Sequence, residues 1–124
     1  KIMELSQILQ IEGIYYDQYN SSQWAIQCTE LGFNMQPFSQ GLMNFNNPTK
    51  ELERLVLSGD AVIDRSTMIL WMFGNIQLRV DHANNIKPEK KGANQKIDGV
   101  ITMIEALGGY LKNPASGELE IFVI

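Results

Sequence analysis

The 124-residue sequence is poor in two residues on which many metal and redox sites depend, since it contains one cysteine, Cys28, and one histidine, His82. A single cysteine cannot form a disulfide within the chain or a cysteine-rich zinc site, and a single histidine excludes a histidine cluster. Any metal ion must therefore be held mainly by carboxylates, which favour hard cations. Cys28 falls on the apolar stripe of a predicted helix, where we interpret it as a small buried hydrophobic residue.

Long apolar runs and an excess of positive charge are also missing. No run approaches the roughly 18 consecutive apolar residues of a membrane-spanning helix, and the first residues do not form the apolar centre of a signal peptide. We therefore expect a cytoplasmic protein with no membrane partner. The net charge of −4 argues against nonspecific binding to nucleic acid, although local charge matters more than the total.

What the sequence does contain is 44% hydrophobic residues, enough for one modest core and a single globular domain. The chain begins with Lys1 rather than with methionine. We therefore expect residues 1–124 to be a piece of a longer polypeptide.

A β-branched and aromatic run, Ile14 to Tyr16, predicts a buried strand that ends at Asp17. The flanking patterns predict a helix over Ile2–Gln10, a helix capped by Asn20 that ends at Gly32, and a strand over Phe33–Phe38. This βαβ order favours a parallel pair of strands. Ligands of open α/β sheets collect beyond the strand ends, so Asp17 is placed for chemistry, although a solvated turn or a helix cap also explains it.

The middle of the chain alternates between helical and extended patterns. Asn47-Pro48 predicts the start of a helix that ends at Gly59. Thr67–Phe73 is apolar nearly all round and predicts a short buried helix, and the alternation over Ile76–Val80 predicts a strand. The polar segment from Asp81 to Lys91 predicts a mobile loop.

The most regular periodicity lies near the end of the chain. Apolar residues at spacings of three and four from Ile97 to Leu111 predict a helix that packs on the sheet and loosens at Gly108-Gly109. Asp98 lies in its first turn, where the helix dipole alone explains an acid, and Glu105 lies on the same face. The apolar tail over 118–124 predicts a final strand, for which we have no functional account.

Several short segments, taken in this order from Ile11 to Leu111, carry a resemblance to a known family. They are Tyr16–Asn20, Phe38–Gly41, Pro48–Glu53, Trp71-Met72 with Asn75, Asp81, Asn85–Pro88 and Lys96–Gly99. On these segments the chain resembles the C-terminal nuclease domain of the large terminase subunit of tailed bacteriophages, the motor protein that cuts and packages viral DNA.

The resemblance implies a ribonuclease-H-like α/β fold, truncated at its N-terminus, with a mixed sheet flanked by helices. It implies that Asp17 and Asp98 are catalytic acids that converge on Mg²⁺ or Mn²⁺, because two carboxylates brought together repel each other unless a cation lies between them. Asp81 is a secondary candidate for an outer ligand, followed by Glu105. The implied reaction is two-metal hydrolysis of a phosphodiester, which cuts concatemeric viral DNA during genome packaging.

The partner implied by the resemblance is double-stranded DNA, together with the terminase small subunit and the portal in the full-length protein. Phage or prophage origin would place the protein in the bacterial host cytoplasm. A basic group is then available for the DNA backbone, although ordinary solvation explains these lysines as well: Lys87, Lys90, Lys91 and Lys96, with Lys50 as a further candidate.

Two departures from the family pattern matter. The first acid of the family lies on an earlier strand that these residues do not contain, and the Gly-x-x-x-x-Gly-Lys-Ser/Thr loop of an ATPase is absent. We therefore expect one partial nuclease domain over residues 1–124, without the ATPase domain and with weak activity alone. The alternatives are a noncatalytic remnant that docks on DNA or on a partner, and a recombination nuclease of the same fold.

Overall fold

The computed structural model describes residues 1–19, 21–63 and 66–114. Within these ranges the helices are α1 Ile2–Leu5, α2 Ser22–Glu30, α3 Leu42–Ser58, α4 Thr67–Gly74 and α5 Asp98–Lys112. The strands are β1 Ile14–Tyr16, β2 Met35–Pro37, β3 Ile76–Val80 and β4 Ile86–Lys90. The predicted cap at Asn20 and the predicted strand over 118–124 lie outside the described residues.

The strands β1 and β2 form a parallel pair, which confirms the prediction from the βαβ order. Ile14 lies opposite Met35 and Tyr16 lies opposite Pro37. The amide of Phe38 donates to the carbonyl of Tyr16 at 2.8 Å and extends the pairing by one step. Parallel strands need a long crossover, which α2 supplies. Asp17, which follows β1, therefore lies at the same edge of the sheet as Phe38, which follows β2.

The second sheet pairs β3 with β4 in antiparallel register. The strand predicted from the alternating pattern over Ile76–Val80 is confirmed as β3. The prediction of a mobile loop from Asp81 to Lys91 is wrong, because this segment contains β4. Ile86 and Pro88 are buried on one side of β4, while the charged residues between them conceal this alternation in the sequence. The amide of Ile86 donates to Asn46 Oδ1 at 3.1 Å and ties β4 to α3.

The helix α3 begins at Leu42 and carries Pro48 in its interior, so the predicted start at Asn47-Pro48 is wrong. Proline removes one backbone donor from a helix and is usually confined to its first turn. Here the packing outweighs that loss, because Phe45 is fully buried one turn earlier and Pro48 is buried as well. The predicted end at Gly59 is confirmed, with a left-handed φ of 77°.

The core forms around α5, which packs against α3, α4 and β1. Its buried members are Phe38, Phe45, Leu52, Val100, Ile104 and Leu107. The predicted helix is confirmed, but it does not loosen at Gly108-Gly109, since it continues to Lys112. The two glycines instead allow close packing, because the side chains of Phe38 and Tyr15 occupy the space that their Cβ atoms would need.

Two other sequence expectations need correction. The helix α1 ends at Leu5 rather than at Gln10. The helix α4 is not buried all round, because Ile69 is its buried residue while Met68 is 62% exposed and Trp71 is 48% exposed. Cys28 is buried, as predicted. In the part of the chain that the structure describes, no helix combines the length and the apolar character needed to cross a membrane.

Candidate acidic site

A cavity of about 1650 Å³ extends between α1, β1, α2 and α5. Its lining includes Asp17 from the end of β1, Asp98 from the first turn of α5, and Glu105 from two turns further along α5. Gln40 and Thr102 line it too. The two acids that the sequence singled out thus line the same cavity, and Glu105 lines it as well.

Asp17 is placed by the end of β1 and by its own turn. Its Oδ1 accepts a hydrogen bond from the amide of Tyr19 at 3.0 Å, which closes the turn that follows the strand. The carboxylate is half-buried and also lines the cavity. The interpretation of Asp17 as a turn residue is therefore confirmed, and its role as a catalytic acid stays a prediction.

Asp98 is placed by contacts of the residues around it. The side-chain amide of Asn75, at the end of α4, donates to the carbonyl of Lys96 at 3.0 Å. The amide of Gly99 points to the sulfur of Met72 at 3.2 Å. Asn75 is buried, and its backbone carbonyl accepts from the amide of Lys91. These bonds fix the start of α5 against α4 and leave Asp98 exposed to solvent.

We expect Asn75→Ala to lower the free energy of unfolding by about 1–2 kcal/mol, because it leaves the carbonyl of Lys96 without its partner in a half-buried position. Urea unfolding measures the change. Asn94→Ala is the matched control, since Asn94 is exposed before the same helix and surface changes are usually within about 0.5 kcal/mol. Equal losses in the two variants would contradict the anchoring role of Asn75.

Glu105 is the acid whose surroundings differ most from solution. It is 2% exposed, and its Oε1 accepts from Nε2 of Gln40 at 3.0 Å. Burial raises the pKa of Glu105, the hydrogen bond from Gln40 opposes this change, and the negative charge of Asp17 adds to it. Among the acids proposed as metal ligands from the sequence, Glu105 was the last candidate. Its position seven residues after Asp98, within an otherwise apolar stretch, was the available signal.

The raised pKa of Glu105 has a consequence for stability. Above pH 4.5, the ordinary pKa of glutamate, the unfolded chain releases a proton from Glu105 that the folded protein retains. The free energy of unfolding therefore falls as the pH rises from that value through the pKa of the folded state. We expect Glu105→Gln to remove this loss, because the amide still accepts from Gln40 and carries no charge. Urea unfolding in EDTA between about pH 4 and about pH 8 should show a flatter profile for the variant. Parallel profiles would contradict this cause.

Asp81 lies elsewhere, in the turn between β3 and β4. Its carboxylate accepts from the amides of Ala83 and Asn85 and from the side chain of Asn85, and these bonds lower its pKa. Asp81 does not line the cavity. Over residues 1–19, 21–63 and 66–114, no group of three or more His, Cys, Asp or Glu side chains has the arrangement of a metal site.

The predicted basic group divides into two kinds of lysine. The ammonium groups of Lys87, Lys91 and Lys50 donate to the carbonyls of Gln40, Gly74 and Asn84. Lys90 and Lys96 are exposed, and their ammonium groups make no hydrogen bond or ion pair with any residue that the structure describes. Lys90 and Lys96 can therefore meet a phosphate without giving up an internal contact.

Comparisons with known proteins give a family profile, a curated relative and a solved structure. The profile of the terminase large subunit endonuclease domain matches residues 2–113. The curated protein YmfN of Escherichia coli strain K12 is 35% identical over 71 residues, which cover 56% of this chain and 16% of YmfN. The crystal structure of the HK97 bacteriophage large terminase superposes with a TM-score of 0.75 at 23% identity, covering 87% of this chain and 23% of the terminase.

The structural likeness shows a shared mixed α/β fold of small sheets flanked by helices. The chain spans less than a quarter of the length of either relative. The family profile, in contrast, covers nearly all of this chain. The protein belongs to the terminase large subunit endonuclease domain family.

Proposed function

We propose that this chain is a DNA endonuclease domain that depends on Mg²⁺ or Mn²⁺ and cuts concatemeric viral DNA during genome packaging. The observation that carries the proposal is the shared cavity of Asp17 and Asp98, two acids far apart in sequence, in a chain of the terminase endonuclease family. Glu105 lies close enough to Asp17 for their charges to interact. Asp81 is left out, because its carboxylate is used in a turn outside the cavity.

The donors in the cavity fit a hard divalent cation. Asp17, Asp98 and Glu105 offer oxygen ligands, as Mg²⁺ and Mn²⁺ prefer. Asp98 and Glu105 lie about 10 Å apart along the helix axis, so the acids are spread along the cavity rather than gathered at one point. Mg²⁺ commonly binds through one or two carboxylates, with waters and substrate phosphates completing its shell. Bound ions would activate a water for in-line attack and stabilise the leaving oxygen.

The contribution of the chain itself is placement. Asp17 is fixed by β1 and its turn, and Asp98 by the anchored start of α5. Lys96 precedes Asp98 by two residues, so a phosphate held by Lys96 would lie beside that acid. Lys90 is the second lysine available for the DNA backbone, whereas Lys50 and Lys91 reach phosphates only by giving up a carbonyl.

The proposed substrate is double-stranded DNA. In a longer protein, the small subunit and the portal are the proposed partners, and the bacterial host cytoplasm is the proposed location. These proposals rest on the family and on the likeness to the HK97 bacteriophage large terminase.

Incubation of supercoiled plasmid with the chain tests the activity. We expect slow nicking in Mn²⁺, slower nicking in Mg²⁺ and none in EDTA, because the described residues supply few ligands. Cleavage that persists in EDTA would contradict the metal-dependent mechanism.

A noncatalytic docking module is the second candidate. It is favoured by the absence of a three-ligand cluster in the described ranges. It would bind DNA in EDTA, and it would neither bind Mn²⁺ nor nick plasmid.

A further inference from the structure

A chain of contacts joins the acidic cavity to β4. The ammonium of Lys87 donates to the backbone carbonyl of Gln40 at 2.5 Å. The side chain of Gln40 then donates through Nε2 to Oε1 of Glu105 at 3.0 Å. Two hydrogen bonds thus connect Lys87 of β4, Gln40 of the loop before α3 and Glu105 of α5, and the negative charge of Asp17 acts on Glu105.

Lys87 points inward, unlike the other lysines of its segment. Its Nζ lies 5.2 Å from the centre of the Phe45 ring, a distance at which the ring face attracts a cation. Phe45 is fully buried in the core. The ammonium therefore has two fixed neighbours, an aromatic ring and a carbonyl, and it is not presented to solvent as a free charge.

Hydrogen bonds fix both the backbone and the side chain of Gln40. Its segment begins at Phe38, whose amide is bonded to β1, and the side chain of Asn44 donates to the carbonyl of Ser39 at 3.2 Å. With Lys87 on its own carbonyl, the backbone of Gln40 has little freedom. The side-chain amide that meets Glu105 is therefore presented from a fixed position.

We propose that Gln40 and Lys87 are positioning residues of the acidic site: Lys87 fixes Gln40, and Gln40 fixes the carboxylate of Glu105 in the cavity that Asp17 also lines. This inference rests on the proposed metal site. It gives Lys87 a role different from that of a phosphate-binding lysine. Partners that orient the carboxylates around a metal typically change its affinity by about 10–100-fold.

The first test measures Mn²⁺ affinity from the electron paramagnetic resonance signal of free Mn²⁺. We expect binding about tenfold weaker in Gln40→Met, about fivefold weaker in Lys87→Met, and within about twofold of wild type in Lys87→Arg, which keeps a donor for the carbonyl. Gln77→Met is the matched control, because Gln77 is exposed on β3 and outside the cavity. Urea unfolding checks that each variant is folded. If Gln40→Met does not fold, the difference in Mn²⁺ affinity between Lys87→Met and Lys87→Arg tests the inference.

The second test separates positioning from contact with DNA. In EDTA we expect Lys87→Met to bind a DNA duplex as wild type does, and Lys96→Met to bind it more weakly. Equal losses of DNA affinity in the two variants would overturn the inference. Mn²⁺ affinity equal to that of wild type in Gln40→Met or Lys87→Met would also overturn the inference. In that case the proposed function would stand. If wild type itself does not bind Mn²⁺, the metal site fails, and the inference fails with it.

Discussion

Asp17→Asn and Asp98→Asn are each expected to weaken Mn²⁺ binding by more than about 100-fold, because loss of a direct ligand should exceed the effect typical of an orienting partner. Both residues line the same cavity, and each supplies its charge from a separately fixed element. The measurement is the free Mn²⁺ signal at increasing protein concentration. The same variants should show no metal-dependent nicking of plasmid DNA.

Unfolding should not explain such a loss. The amide oxygen at position 17 can still accept from the amide of Tyr19, and the charge in the first turn of α5 is worth only about 0.3–1 kcal/mol. We therefore expect both variants, measured in EDTA, to remain folded and to lie within about 1 kcal/mol of wild type. Glu30→Gln, exposed at the end of α2, is the control for a lost negative charge.

Asp81→Asn tests the remaining acid. Its carboxylate stabilises the β3–β4 turn, so we expect lower stability with unchanged Mn²⁺ affinity. Wild-type affinity in Asp98→Asn, or a large loss in Asp81→Asn, would remove the basis for the proposed site.

The sequence predicts best where local pattern and tertiary environment agree. The helix α5 is confirmed because its apolar spacing reflects real burial, whereas the strands β1 and β2 are confirmed although none of their residues is fully buried. That Asp17 and Asp98 line one cavity agrees with what the family resemblance implied. Their assignment as metal ligands stays a prediction.

Three of the failures have a common physical cause, since each of them depends on a contact distant in sequence. The strand β4 seemed a loop because its charged residues hide Ile86 and Pro88, which are buried against α3. The helix α3 begins before the predicted start at Asn47 because Phe45 is buried in the core. Glu105 was placed after Asp81 as a candidate ligand because its partner, Gln40, lies 65 residues away and gives no local signal. Local periodicity carries no information about such pairs.

The close packing of α5 leads to the second large effect, at Gly108. In the interior of an exposed helix, replacing glycine by alanine stabilises by about 1 kcal/mol. Here a Cβ atom would lie 2.7 Å from the ring of Phe38 and 3.2 Å from Cγ of Pro48. Both side chains are buried, and Phe38 is held edge-to-face against Phe45 with ring centres 5.6 Å apart. Neither can move aside without disturbing the core.

We therefore expect Gly108→Ala to destabilise the protein by about 2–3 kcal/mol, as overpacking a buried contact typically does, despite its better helix propensity. Urea unfolding gives the value. Gly74→Ala is the matched control, because no atom lies within 4 Å of the Cβ position at Gly74, and it should be neutral or stabilising. Phe38→Leu should relieve the clash, so the double variant should lose less stability than the two single losses combined. Strict additivity would show that the ring of Phe38 is not what requires glycine at this position.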